Sequence, residues 1–292
     1  HSAGLIRDGF DAGQWQDRRP FLDEGALRAD LAAGTTIEPN TRFKYSNHGY
    51  GLLGLVIEAV TGEAYADWVA REIVAPSGLA YTTPDMPEGS AIPFAHGHSS
   101  KLPLGRRVVI PATNPTNALA SATGFVSTAA DLARFFGSLA PDARRSVLSA
   151  ESRREMTRRQ WKDAHNSVER WYGLGTIAGS LGEWEWFGHS GGFQGTITRT
   201  VCVPAQGLAI SVLTNAADGL SHTWLDAALA KDADVERWSA YVGRGAIRFY
   251  LPLNAQLPNP FFAQAVVVCH SVNARSSARA CSACNASMRA RA

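Results

Sequence analysis

Acidic residues are missing from the end of this chain. The last is Glu236, and the 56 residues that follow hold seven Arg, no Lys and no Asp or Glu. Residues 1–236 therefore sum to −5 and the remainder to +7, around a total of +2. A total so near zero supplies no overall field for gripping nucleic acid or an acidic membrane, so neither is an expected partner. Long apolar runs are also missing: nothing approaches the roughly 18 residues a membrane helix needs, so no membrane span is expected. Cysteine is scarce. Cys202, Cys269, Cys281 and Cys284 are too few and too crowded toward one end for a disulfide framework, and they leave the compartment open. His1-Ser2-Ala3-Gly4-Leu5 shows no basic stretch followed by an apolar one, so no targeting peptide is read there. Lysine is rare as well, at positions 44, 101, 162 and 231 only. What remains is 45% hydrophobic with 27 Gly and 14 Pro over 292 residues, the make-up of a globular protein with a sizeable core.

Apolar periodicity divides the chain. A short helix is expected near Asp23 to Ala32. From Asn47, the residues Tyr50, Leu53, Val56, Ile57 and Val60 recur at helical spacing until Thr61-Gly62, which predicts about four helical turns. A second helix is expected from Tyr65 to Val74, before Pro76. Residues 82–118 are rich in Pro, Gly, Ser and Asn, with Val108-Val109-Ile110 the one strand candidate. Ser127 and Thr128 offer caps for a helix from Ala129 to Leu139, and another is expected near Ala150 to Arg159. The period then shortens toward two. Strands are expected at Trp171–Ala178, Trp184–His189, Thr196–Pro204 and Gly207–Asn215, with Ala205-Gln206-Gly207 as a hairpin connection and a closing helix at Ser221–Lys231. Helices followed by successive antiparallel strands and a further helix indicate an α+β fold rather than a βαβ repeat.

Three short stretches carry chemistry-bearing side chains: Tyr45-Ser46-Asn47 at a helix mouth, Ser121-Ala122-Thr123-Gly124 before a capped helix, and Gly188-His189-Ser190-Gly191-Gly192 on a strand. Taken singly, each has a plain packing reading. A tyrosine at a helix start is commonly a packed aromatic, and strand glycines commonly admit a neighbouring backbone.

Their order changes the weighing. From His1 to about Leu229 the chain resembles the serine β-lactamase and penicillin-binding-protein-like family, which includes class C β-lactamases, D-alanyl-D-alanine carboxypeptidases, D-aminopeptidases and related esterases. His1-Ser2-Ala3-Gly4-Leu5 is similar to the family's His-Thr-Ser-Gly-Leu segment. Tyr45-Ser46-Asn47 with the helix after it resembles the Tyr-Ser-Asn motif. Ala120 to Phe135 resembles the segment ending Ser-Thr-Ala-x-Asp-Leu-Ala-x-Phe, and Gly188-His189-Ser190-Gly191-Gly192 resembles the third motif, Lys-Thr-Gly in the lactamases and His-x-Gly in many peptidase-like and esterase-like members.

The resemblance implies a β-lactamase/transpeptidase-like fold, an antiparallel sheet flanked by helices plus a helical region. It also implies a reaction: acyl transfer from a small-molecule or peptide substrate to a serine and then to water, with no metal or organic cofactor. Tyr45 would be the base or its relay, needing nearby positive charge because a free phenol ionises near pH 10. Asn47 would hold the substrate amide with its side chain and orient the lysine. His189 would take the place of the lactamase lysine, hydrogen-bonding Tyr45 and supplying partial positive charge, while Ser190, Gly191 and Gly192 would bind substrate, with a Gly192 N–H in the oxyanion hole. His in place of Lys at 189 ranks peptidase-like or esterase-like action above true β-lactamase action. The family nucleophile lies in Ser-x-x-Lys, and here the four lysines are preceded three positions earlier by Thr41, His98, Arg159 and Ala228. No nucleophile is therefore expected in this chain, which reads as an N-terminally incomplete serine hydrolase domain over 1–236 followed by an atypical basic, acid-free extension, 237–292, expected to be poorly ordered or foreign to that domain. The isolated chain is therefore expected to be inactive, and the alternative expectation is a non-catalytic fragment or binding module that retains the fold.

Four further features have blander readings. His96-Gly97-His98 has metal-ligand spacing but too few partners, and is read as a loop pair. Cys281-x-x-Cys284 lacks a matching pair. The arginines at 144, 145, 153, 154, 158 and 159 are read as a solvated face. Trp184 and Trp186 are left as either sheet packing or cleft wall.

Overall fold

The computed structural model describes residues 1–9, 20–86, 94–111, 113–166, 168–223 and 225, together with the backbone of 239–242 and 263–269. Three helices come early. α1 (Glu24–Ala32) begins where Asp23 accepts the Ala26 N–H, and α2 (Asn47–Thr61) begins where Ser46 accepts the Gly49 N–H and ends at left-handed Gly62. α3 (Tyr65–Val69) continues into a wider turn through Val74. A two-stranded hairpin follows, β1 (Gly97–His98) against β2 (Val109–Ile110). α4 (Ala129–Ser138), capped by Thr128, and α5 (Ala150–Thr157), capped by Ser149, lead into the sheet.

The sheet is antiparallel throughout. Its strands are β3 (Trp161–Lys162), β4 (Arg170–Tyr172), β5 (Ile177–Leu181), β6 (Trp184–Phe193), β7 (Thr196–Val203), β8 (Leu208–Thr214), β9 (Ser239–Val242) and β10 (Ala263–Cys269). They lie in the order β3-β4-β5-β6-β7-β8-β10-β9. The stretch read as a strand from Trp171 to Ala178 is two strands. Gly175 at φ +74° and a Gly173 N–H to Thr176 carbonyl bond of 2.8 Å turn the chain between them, a conformation that glycine adopts without strain. Downstream the alternation holds, and Gly207 at φ +58° closes the β7–β8 connection. Two segments of the basic tail lie in the sheet, β10 pairing with β8 from Ala263↔Thr214 to Cys269↔Leu208. Residues 221–223 and 225 are helical, and the rest of the expected helix to Lys231 lies outside the described residues, as do Cys281 and Cys284.

Period-two patterning builds two layers. Ile177, Trp186, Val201, Val203, Leu208, Ile210 and Val212 pack on one face with Phe43 and Leu225, while Ala178, Phe187, Cys202 and Ala209 pack on the other under Ala133, Leu139 and Ala140 of the α4 region. Trp186 sits in the first layer beneath the Arg199 guanidinium, 4.8 Å from its ring centroid, with Trp184 packed alongside; both are sheet packing.

Two expectations are corrected. α2 buries Asn47, His48, Gly51, Gly54 and Leu55 and leaves Leu53, Val56 and Val60 exposed, so its apolar stripe is not its packed face. Its glycines explain this: a methyl group on Gly54 would collide with Ser121, so only glycine lets the helix approach that turn. Arg153 is not on a solvated face. It is buried, and its guanidinium donates to the carbonyls of Leu148, Pro141 and Ala143, while Arg154, Arg158 and Arg159 form surface pairs with Glu151, Glu155 and Glu185.

Candidate active site

The Tyr45-Ser46-Asn47 turn is held by the first eight residues. Ser46 N–H donates to His1 Nδ1 at 3.1 Å, the Ser46 hydroxyl donates to the Ile6 carbonyl at 2.6 Å, and Asn47 N–H donates to the Arg7 carbonyl at 2.8 Å. The first N–H groups of a helix lack partners within it, so these contacts fix where the helix starts and how its first side chains project. The His1 ring lies on the Tyr45 ring with centroids 4.0 Å apart, and meets Tyr172 edge-on at 5.3 Å.

Tyr172 joins the motifs. Its ring centroid is 6.1 Å from that of Tyr45 and 6.2 Å from that of His189. Tyr45, Asn47, His189, Ser190, Gly191 and Gly192 all line one cavity of about 1560 Å³, and Ser121, Ala122, Thr123 and Gly124 form another part of its wall. The structure thus brings together all six residues expected from sequence and all three stretches. Ser121 acts through the backbone: its hydroxyl donates to the Tyr50 carbonyl at 2.7 Å, tying that wall to α2.

The sheet leaves one edge open toward this cavity. β5 pairs with β6 only as far as Gly188, opposite Ile177, whereas β7 pairs with β6 through Phe193. Residues 189–193 therefore have a strand neighbour on the β7 side alone among the described residues. An unpaired strand edge presents backbone N–H and C=O groups to whatever enters.

Electrostatics differ from what a lysine at 189 would give. Burial lowers the His189 imidazole pKa, so the ring is neutral at neutral pH. Its Nδ1 lies 2.7 Å from the Ser190 carbonyl, which only accepts, so Nδ1 carries the proton and Nε2 keeps a lone pair. His189 thus offers an acceptor rather than positive charge. Cationic charge near Tyr45 comes from arginine instead: the Arg7 guanidinium stands 5.4 Å from the Tyr45 ring centroid, and that of Arg170 stands 5.8 Å from the Tyr172 ring centroid while paired with buried Asp163 at 2.6 Å. Burial raises the Tyr45 pKa, Arg7 opposes it, Asp8 adds to it and Arg170 opposes it. Burial pushes Tyr172 up to about 12. At neutral pH both are phenols.

Asn47 has a partner that sequence reading missed: its Nδ2 donates to Asp8 Oδ1 at 2.5 Å. Arg7, Asp8, Arg170 and Tyr172 all line the cavity and were not singled out. Only proximity to a recognised motif could have flagged Arg7 and Asp8, and nothing local flags Arg170. No group of three His, Cys, Asp or Glu suited to a metal occurs among the described residues. His96 and His98 instead hydrogen-bond the carbonyls of Pro111 and Asn215, both at 2.9 Å.

Comparison with known proteins places the family and the fold. Penicillin-binding protein 4 of Amycolatopsis lactamdurans is 28% identical over 233 residues, which are 74% of this chain and 57% of that protein. The chain therefore spans little more than half the length of that relative. Among solved structures, the octameric penicillin-binding protein homologue from Pyrococcus abyssi superposes with a TM-score of 0.66 at 22% identity, covering 80% of this chain and 55% of that one. A D-stereospecific amidohydrolase from Streptomyces sp. superposes with a TM-score of 0.61 at 23% identity, covering 77% and 69%. The shared fold is the β-lactamase/transpeptidase fold. The model of the Beta-lactamase family matches residues 1–234, and the chain, with its tyrosine turn and its histidine strand on one cavity, belongs to that family of serine hydrolases.

Proposed function

We propose that this chain carries the base-bearing wall of an acyl-serine hydrolase acting on amide, peptide or ester bonds, and that the nucleophile comes from a Ser-x-x-Lys segment outside these 292 residues. The observation that carries the reading is the convergence of Tyr45, Asn47 and His189 on one cavity beside the open edge of β6.

In this mechanism the serine oxygen attacks the acyl carbon and its proton passes to Tyr45. Tyr45 is a phenol at rest, so it relays the proton rather than storing charge, and the lone pair on His189 Nε2 is an acceptor within the same cavity. The carbonyl oxygen gains negative charge, which an N–H of the free edge at Gly192 stabilises; removing one such donor typically costs about 2.7–4 kcal/mol. The proton returns to the leaving amine or alcohol as the C–N or C–O bond breaks. Water then takes the acyl group from serine by the same route. A neutral histidine where the lactamases hold lysine favours peptidase-like or esterase-like substrates over β-lactams.

The missing Ser-x-x-Lys favours a second reading for the isolated chain, a binding cleft without acylation. Intact mass spectrometry with a fluorophosphonate and a fluorescent penicillin separates the two. The 292 residues alone give no adduct, and joining an upstream segment with Ser-x-x-Lys gives a one-to-one adduct and p-nitrophenyl ester hydrolysis that Tyr45→Phe abolishes. Full hydrolysis in that variant would refute the role of Tyr45.

A further inference from the structure

We propose that the hairpin of β1 and β2 is a docking element for an anionic lipid surface: the apolar tip around Leu104 enters the headgroup layer, and Lys101 and Arg106 beside it meet the lipid phosphates. The proposal stands apart from the hydrolase reading, because it concerns a surface and uses none of the residues assigned to the reaction.

The sequence sets the charge. Between Glu88 and Asp131 there is no acidic residue, while Lys101, Arg106 and Arg107 fall together in residues 101–107. The near-zero total of the chain therefore hides a cationic segment, and a contact at headgroup distance lies inside the roughly 8–10 Å over which salt leaves charges unscreened. Arg107 is held within the fold: its guanidinium pairs with Asp218 and donates to the Ser99 carbonyl at 2.7 Å. Lys101 and Arg106 are exposed, and their side chains have no acidic partner among the described residues. The backbone fixes the tip. Ser99 N–H donates to the Val108 carbonyl at 2.9 Å, Leu102 N–H to the Arg106 carbonyl at 2.8 Å and Gly105 N–H to the Leu102 carbonyl at 3.1 Å, which closes the turn. Asp218 braces it from the chain after β8, accepting the Lys101 N–H at 3.0 Å as well as pairing with Arg107.

Within that turn Leu104 stands at φ +64°, a region that L-residues avoid, and it is 91% exposed. Leu102, Val108 and Val109 are exposed on the same hairpin. Single apolar residues scattered over a surface need no explanation, but four on one braced hairpin, with unpaired cations among them, form a patch. The chemistry then selects the occupant. A nucleic acid or other polyanion would meet the cations and leave the leucines unused. A second copy in a two-fold contact would set Lys101 and Arg106 against their own kind, with no acid on the hairpin to answer them. A lipid surface takes both parts: the acyl boundary receives Leu102 and Leu104, and the phosphates receive Lys101 and Arg106. At its other end the hairpin leans on the β6–β7 turn, where the Gly195 carbonyl accepts the His98 N–H at 3.1 Å, and Phe94 and Asn114 on either side of it line the cavity. Docking therefore holds the cavity close to the bilayer.

The test is co-sedimentation of the 292-residue chain with vesicles of phosphatidylcholine alone or of an equal mixture with phosphatidylglycerol. We expect binding to the mixed vesicles that weakens with added salt, and little on phosphatidylcholine alone. Leu104→Asp lowers the partition coefficient at least about tenfold, the value of withdrawing one leucine from an apolar boundary, and Leu104→Gly, which suits the left-handed turn, lowers it in the same sense. Lys101→Gln and Arg106→Gln each lower it about fivefold. Val60→Asp, at an exposed apolar position on α2, leaves it unchanged. The basic residues after Glu236 are present in every variant, so binding through them alone would make the hairpin variants equal to the parent chain and overturn the proposal. Loss in the lysine and arginine variants without loss in Leu104→Asp would assign the patch to a polyanion. A dimer that Leu104→Asp splits in sedimentation velocity, without vesicle binding, would assign it to a second copy. Either result refutes lipid docking, and an equal loss in Val60→Asp refutes the hairpin as its site.

Discussion

Asp131 tests whether the wall of this cavity is held by buried polar bonds or by apolar packing. Its side chain is 2% exposed and accepts from the Tyr81 N–H at 2.8 Å and the Thr82 hydroxyl at 3.0 Å, which ties α4 to the chain ahead of the Ser121–Gly124 wall. Hydrogen bonds to a charged acceptor are worth about 1.5–3 kcal/mol each, and their loss leaves donors without a partner. Thr82 keeps a second partner in Ser127 at 2.8 Å, so the Tyr81 bond counts in full and the Thr82 bond in part. Asp131→Ala should therefore cost about 3 kcal/mol. The pair with Arg134, at 3.1 Å but with that side chain 52% exposed, should cost under about 1 kcal/mol when removed by Arg134→Ala. Urea unfolding followed by tryptophan fluorescence measures both, and a slope of about 3 kcal/mol per molar turns the first loss into a midpoint shift of about 1 M. Asp131→Asn should fall between, because both bonds end on Oδ2 and an amide oxygen placed there keeps them as weaker bonds to a neutral acceptor. Equal shifts for Asp131→Ala and Arg134→Ala would refute the reasoning, since they would assign the stabilisation to the surface pair.

Two more expectations concern the tyrosine turn. Ser46 is 3% exposed, and its hydroxyl both donates to the Ile6 carbonyl and accepts the Gly49 N–H, so Ser46→Ala should cost about 2 kcal/mol, the upper end for a helix cap, by the same urea measurement. Ser46→Thr, which keeps the hydroxyl, should recover most of it. The buried phenols set the alkaline limit. Tyr65 and Tyr172 are pushed up to about 12 in the folded chain against 10 unfolded, so the unfolded state loses its protons first as pH rises. Their contribution is complete below pH 10 and drains away between pH 10 and 12. Thermal melts over that window should show a fall that Tyr172→Phe reduces, and an identical fall in that variant would remove Tyr172 as a cause.

Much of the fold was legible because local rules governed it. Ser46 and Gly62 mark the ends of α2, Thr128 marks the start of α4, and alternation marks β7 and β8, since capping and pleating act within a few residues. The hairpin between β4 and β5 was not legible, because Gly173 to Thr176 interrupts a run that reads as continuous strand. The face of α2 was misread for another reason: periodicity finds the apolar stripe, but a glycine face packs closer than any side chain, and Leu53, Val56 and Val60 were left outside.

The site divides in the same way. Sequence alone determined that Tyr45, Asn47 and His189 belong to recognisable motifs, that residues 190–192 follow them, and that no Ser-x-x-Lys is present, because these are matters of residue identity and order. Tertiary structure decided their chemical states. Burial makes His189 a neutral acceptor, Asp8 accepts from the Asn47 amide nitrogen, and the charge of Arg170, 125 positions from Tyr45 in sequence, is felt by that phenol only because β4 brings it to the same cavity. Charge and hydrogen-bond direction depend on what surrounds a group in space, and those surroundings come from distant parts of the chain.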